Sequence, residues 1–173
     1  MSHRSGQSKV QKPVYLGIGA NLTPDGFDSP REGCLAALDS LSDDGVTVEA
    51  ISPWYKTAPV PVSDQPWFQN AVVRVDTGLD AAALMAVLHD RESRFGRIHS
   101  IRNEARVLDI DIVDFRGEAR DDNLQLPHPR MHQRGFVLIP LRDLDPYWQH
   151  PVSGASIDSL IAALDPGEEV LPA

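Results

Sequence analysis

In Val107-Leu108-Asp109-Ile110-Asp111-Ile112-Val113-Asp114-Phe115, residues 108–112 alternate apolar and acidic side chains. A period of two belongs to a β-strand, and it places Leu108, Ile110 and Ile112 on one face and Asp109 and Asp111 on the other. The apolar trio requires a cover of helices, so the carboxylates project from the opposite, uncovered face. Asp114 falls on the parity of the trio and is left out of the pair. The two carboxylates stand roughly 6.6 Å apart at about 3.3 Å per residue. At an effective dielectric of about 20 their repulsion is about 2.5 kcal/mol. Aspartate is also a poor strand former. Full solvation cuts the repulsion to under about 1 kcal/mol. The pair therefore reads either as an ordinary wet strand face or as a cation site, for which oxygen-only ligands favour Mg²⁺ with substrate phosphates completing its shell.

The segment just upstream carries the complementary charge. Arg91, Arg94, Arg97, Arg102 and Arg106 are five of the chain's thirteen arginines, in a protein of net charge −9. Guanidinium groups bind phosphate oxygens bidentately and stay charged at any working pH. Arg97 and Arg106 bracket the polar loop leading into the Asp strand and are read as phosphate ligands. Arg91 and Arg94, beside Asp90 and Glu92, are read as solvating a helix face. The overall acidity argues against nucleic-acid and anionic-membrane partners.

Farther out, the remaining elements follow from capping and turn chemistry. Val14–Ile18 reads as a first strand. Ser29, Pro30 and Glu32 give an N-cap, an N1 proline and a capping box for a helix to about residue 42. Residues 46–52 alternate as a second strand. Pro53, Pro59, Pro61 and Pro66 exclude regular structure over residues 53–66. Phe68–Asp76 is a third strand, Asp80 caps a second helix and Gly96 stops it. Leu124–Leu126 reads as a short strand, and residues 136–144 and 157–164 as short helices. The order β-α-β-β-α-β matches the ferredoxin-like split pattern, in which helices cover one sheet face and the other is shielded by loops or used. One domain over residues 13–173 is expected, after a polar disordered leader at 1–12. Cys34, the only cysteine, falls in a stripe with Leu35, Leu38 and Leu41. It reads as a buried structural thiol in a reducing, cytoplasmic compartment.

Other nucleotide motifs are missing: Gly17-Ile18-Gly19 lacks the third glycine of a dinucleotide loop, and no Gly-Lys-Ser/Thr follows any glycine-rich loop. Taken singly, Trp67, Phe68 and Phe136 read as core aromatics, and His89 and His128 as structural or solvent-facing.

Five blocks together resemble the 6-hydroxymethyl-7,8-dihydropterin pyrophosphokinase family of folate biosynthesis. They are Gly17–Leu22, Tyr55–Val60, Asp64–Val72, Arg106–Asp111, and Pro127–Arg130 with Arg134–Leu138. The resemblance implies a three-layer αβα ferredoxin-like fold with a C-terminal extension. It also implies transfer of the β,γ-diphosphate of ATP to the pterin alcohol, releasing AMP; separately from the resemblance, a monomer is expected. The resemblance assigns two Mg²⁺ ions to Asp109 and Asp111, and phosphate or nucleotide contacts to Glu92, Arg97, Arg106, His128 and Arg134. It gives the pterin to Thr57, Val60, Asn70 and a Phe68–Phe136 sandwich. One stretch departs: Arg102-Asn103-Glu104-Ala105-Arg106 stands where the family often has Arg-Trp-Gly-Pro-Arg, and the path from Arg97 to Asp109 is one residue shorter. Two competing readings are a non-catalytic pterin or nucleotide regulator with a degenerate lid and a nucleotidyltransferase using the same Asp-x-Asp logic. AMP release marks the pyrophosphokinase, and pyrophosphate release the nucleotidyltransferase.

Overall fold

The computed structural model describes residues 11–96 and 105–173. The leader lies outside these residues except for Gln11 and Lys12, as do Arg97, Arg102 and most of the departing loop. An antiparallel sheet forms the centre. Its strands are β1 (Val14–Ala20), β2 (Val46–Ile51), β3 (Tyr55–Thr57), β4 (Phe68–Thr77), β5 (Asp109–Phe115) and β8 (Val170–Pro172). The order across it is β5-β1-β4-β3-β8, and β2 pairs with the far end of β4. A hairpin of β6 (Arg120–Asp121) and β7 (Gln125–Leu126) stands apart.

Strand parity sorts the residues into two cores. Val14, Leu16, Ile18, Ile110, Ile112 and Val73 pack with α1 (Pro30–Ser40) and α2 (Ala81–Arg94). Tyr15, Val72 and Val113 pack on the opposite side with α3 (Gly135–Leu144) and α4 (Ile157–Ala162). The face that the split pattern left to loops is therefore partly roofed by α3 and α4, in keeping with the three layers that the resemblance implied. Their apolar residues Val137, Leu138, Leu141 and Ile157 are buried there, and only the ends of the strands carrying the carboxylates stay open.

The helix signals act as expected, with one change of partner. Ser29 Oγ accepts from Glu32 N and Asp80 Oδ1 from Ala83 N. Glu32 reaches back to Asp28 N rather than to the cap residue. Gly96 follows α2 at φ +93°, a conformation that favours glycine.

Several expectations are corrected. Tyr55–Thr57 is a strand inside the proline-rich stretch, because Pro53 and Pro59 flank it and leave its own N–H groups free to pair with β4 and β8. The β8 strand itself gave no sequence signal. β5 starts at Asp109 rather than Val107. Leu35 is exposed, whereas Cys34, Leu38 and Leu41 are buried. Arg91 is buried as well, paired with Asp44 and near Asp90. It staples α2 to the turn after α1, while Arg94 pairs with Asp90 at the surface.

The parity argument for Asp114 also fails. The β1–β5 register shifts between Tyr15 and Leu16, which pair with Asp114 and Ile112. A bulge of this kind turns the following side chain over. Asp114 therefore shares the face of Asp109 and Asp111, but it is buried there, accepting from Trp148 Nε1 and Gly117 N at 2.8 Å each. Its loss of solvent raises its pKa above the usual carboxylate value.

Burial pushes the Cys34 thiol up to about 12, and the negative charge of Asp109 adds to the shift. The folded protein is expected to resist iodoacetamide at pH 8 and to be alkylated only once denatured. Mass spectrometry with and without urea reads this directly, and rapid modification of the folded chain would show the thiol to be reachable.

Candidate active site

Pairing of β1 with its two neighbours brings the site together. Gly19 lies between Asn70 of β4 and Asp109 of β5, and Gly17 lies between Val72 and Asp111. Asp109 and Asp111 thus share a face with Asn70, one strand beyond the glycines. Their side chains are 23% and 42% exposed, so both carboxylates stand at the open end of the α3 face and not in the apolar layer.

Cationic groups ring them. Arg106 Nη1 pairs with Asp109 Oδ2. Arg106 is itself locked by Asn21, whose Oδ1 accepts from Arg106 N at 2.7 Å while the Arg106 carbonyl accepts from Asn21 N at 3.0 Å. Asn21 Nδ2 also donates to Pro66 O at 3.0 Å, tying the proline loop to the same point. His128 Nε2 lies 4.0 Å from Asp111 Oδ2. Its Nδ1 accepts from Arg130 N at 3.1 Å, which leaves Nε2 as the protonated nitrogen of the neutral ring. Burial and the charges of Arg134 and Arg130 push His128 down to about 4. Near neutrality it is an uncharged donor facing the carboxylates. The Arg134 guanidinium loses some basicity to burial and to Arg130, while Asp111 and Asp109 hold it charged. It lies 5.4 Å from the Phe136 ring centre.

Glu92 is fully buried, and its Oε1 accepts from Ile110 N at 2.8 Å. This bond ties the end of α2 to the backbone between the two aspartates. Opposite, Asn70 Nδ2 donates to Thr57 Oγ1 at 2.9 Å, with both residues buried. Phe68 sits at the mouth end of β4 beside Thr57. Phe136 begins α3, and Val60 is 79% exposed on the proline loop. Arg97 falls outside the described residues.

Sequence reasoning missed Asn21 as the clamp on Arg106, and Arg130 as the group that sets the His128 tautomer. It also missed Glu168, whose Oε1 accepts from Gly135 N at 2.8 Å. Arg134, at the N-cap of α3, makes no side-chain cap bond, so a carboxylate 33 residues away fills that place. Only tertiary contact reveals such a partner.

A family model of 7,8-dihydro-6-hydroxymethylpterin-pyrophosphokinase matches residues 15–146. The chain belongs to this family. The 2-amino-4-hydroxy-6-hydroxymethyldihydropteridine pyrophosphokinase of Methylorubrum extorquens is 36% identical over 156 residues, covering 88% of this chain and 94% of that protein. The folic acid synthesis protein fol1 of Pneumocystis carinii is 36% identical over 157 residues, 90% of this chain but only 20% of its own length. The crystal structure of a Plasmodium falciparum HPPK-DHPS triple mutant shares the fold, with a TM-score of 0.66 at 16% identity, over 90% of this chain and 45% of that one. The chain therefore spans nearly all of the Methylorubrum relative and less than half of the Pneumocystis and Plasmodium proteins. Among the described residues no helix is long and apolar enough to cross a membrane.

Loss of a side-chain N-cap costs about 1 kcal/mol. Glu168→Ala is accordingly expected to lower stability by about that amount in urea unfolding, with Glu168→Gln keeping much of it. An unchanged midpoint in Glu168→Ala would show that the bond to Gly135 contributes nothing.

Proposed function

We propose that this chain transfers the β,γ-diphosphate of ATP to the hydroxymethyl oxygen of 6-hydroxymethyl-7,8-dihydropterin in folate biosynthesis, releasing AMP. The observation that carries the reading is the carboxylate pair of β5, exposed on the same face as Asn70 and ringed by Arg106, His128 and Arg134. Family membership supplies the substrates, and the geometry supports them. The strand order β5-β1-β4-β2, with helices α1 and α2 on one side, supports a ferredoxin-like split arrangement.

Asp109 and Asp111 fit a magnesium site because they offer oxygen donors alone, side by side on one face, and remain half open to solvent. They would hold two ions together with the phosphates of ATP. Bound there, magnesium neutralises triphosphate charge and polarises phosphoryl oxygens.

The chain's own groups then position and stabilise. Arg106 and Arg134, with Arg97, take phosphate oxygens, and the neutral His128 donates from Nε2. Glu92 lies on the nucleotide side. Phe68 and Phe136 hold the pterin ring between them, while Thr57, Asn70 and the Val60 backbone read its edge. The hydroxymethyl oxygen attacks the β-phosphorus in line, the bond to the AMP oxygen breaks, and the hydroxyl proton passes to solvent. A loose transition state of this kind needs positioned positive charge more than a strong base. The protein acts as a cytoplasmic monomer, with no nucleic-acid or membrane partner.

Asp109→Ala and Asp111→Ala are each expected to lower AMP release by at least a thousandfold while the circular dichroism and melting midpoint stay near those of the parent. Full turnover in either variant, or unfolding of both, would remove the metal-site reading. Phe136→Ala is expected to raise the pterin KM at least tenfold and the MgATP KM by less than twofold. Equal losses for the two substrates would end the stacking role. Tight binding of both substrates by the parent chain without AMP release would make it a binding protein and not an enzyme.

A further inference from the structure

Gly17-Ile18-Gly19 starts like a dinucleotide loop and has no task in the reading above. In the fold it is the middle of β1, a strand paired on both sides. Glycine there weakens the strand and marks a place where another group approaches closely. The two glycines differ in what approaches them. A Cβ at Gly17 would meet Val113 Cγ2 at 3.3 Å, a tight contact with the end of an apolar side chain. A Cβ at Gly19 would fall under 3.0 Å from Asn70 Oδ1, a separation that real Cβ atoms essentially never show. Asn70 Cγ and Gln69 O would lie at 3.4 and 3.5 Å.

Asn70 is not free to retreat. Its Nδ2 is engaged by Thr57 Oγ1 at 2.9 Å, and the residue is 7% exposed. No described group donates to its Oδ1. The carboxamide is therefore laid against the bare backbone of β1 with an unused acceptor, on the face that carries Asp109. An acceptor held in place with no protein donor is available to a donor supplied by a ligand.

We propose that Gly19 is a specificity-determining residue of the pterin pocket. By lacking a side chain it allows the Asn70 carboxamide to lie flat on β1 and present Oδ1 to a ring N–H of a flat heterocycle. The proposal rests on the pterin role of Asn70 stated above. The group that a side chain at 19 would strike most closely is the Asn70 amide, so the effect is expected on the heterocycle. Any side chain at 19 rotates the amide, breaks its bond to Thr57 and withdraws the acceptor.

The test is steady-state AMP release with the pterin alcohol and MgATP varied separately, for Gly19→Ala, Gly17→Ala, Asn70→Ala and the Gly19→Ala/Asn70→Ala pair. Gly19→Ala is expected to raise the pterin KM at least tenfold, with the MgATP KM within twofold of the parent. Gly17→Ala stays within threefold for both. In the Asn70→Ala background, Gly19→Ala adds less than twofold, because the atom it strikes is gone. If Gly19→Ala does not fold, recovery of the fold in the Gly19→Ala/Asn70→Ala pair reads the same clash, and a pair that stays unfolded overturns the proposal. An unchanged pterin KM in Gly19→Ala, equal losses for both substrates, or a full added penalty in the double variant would overturn the role of Gly19. An unchanged pterin KM in Asn70→Ala would instead remove the pterin reading of Asn70, on which the proposal rests.

Discussion

The antiparallel register of β1 between β4 and β5 is the constraint on which the rest of this molecule depends. It aligns Asn70, Gly19 and Asp109 in one row and Val72, Gly17 and Asp111 in the next. A slip of β5 by one residue would send every side chain of that strand to the other face. The carboxylates would then enter the layer of Cys34, Leu84 and Leu88, where an unpaired charge costs several kcal/mol. The register is enforced from both sides of the sheet, by Leu16, Ile18, Ile110 and Ile112 beneath α1 and α2, and by Tyr15, Val72 and Val113 beneath α3 and α4.

Upon that frame the site is assembled by bonds between elements. Asn21 fastens the chain at Arg106, which pairs with Asp109, and Glu92 fastens β5 between its two aspartates. Arg130 fixes the His128 tautomer, and Glu168 closes the N-terminus of α3 beside Phe136. Each bond removes a freedom that a bound ligand would otherwise have to remove, the condition under which preorganised charge can act in catalysis. The positive groups remain charged beside the carboxylates, while burial keeps His128 neutral. The site thus holds permanent cations and a neutral donor around one acidic pair.

Much of this was legible along the chain. The alternation of residues 108–112 predicts an acidic face and an apolar face, and both are found. Ser29 and Asp80 begin helices because their oxygens can reach an N–H three residues on, a purely local fact. The short strand Tyr55–Thr57 was hidden by its flanking prolines, since its stability comes from partners on either side and not from its own three residues. Asp114 was misplaced by the same kind of limit. The period-two rule holds until a bulge resets it, and the shift appears only in the pairing with β1.

By itself the sequence determined which residues could carry charge, which could cap, and which face of β5 had to be wet, because these depend on side-chain chemistry at separations of two to four residues. Only the tertiary structure decided that Asn70 rests on Gly19, that Glu168 caps α3, that Arg91 is buried against Asp44, and that α3 and α4 roof the carboxylate face. Those contacts join residues tens of positions apart, and no local period or propensity encodes which distant group will occupy the space beside a given backbone.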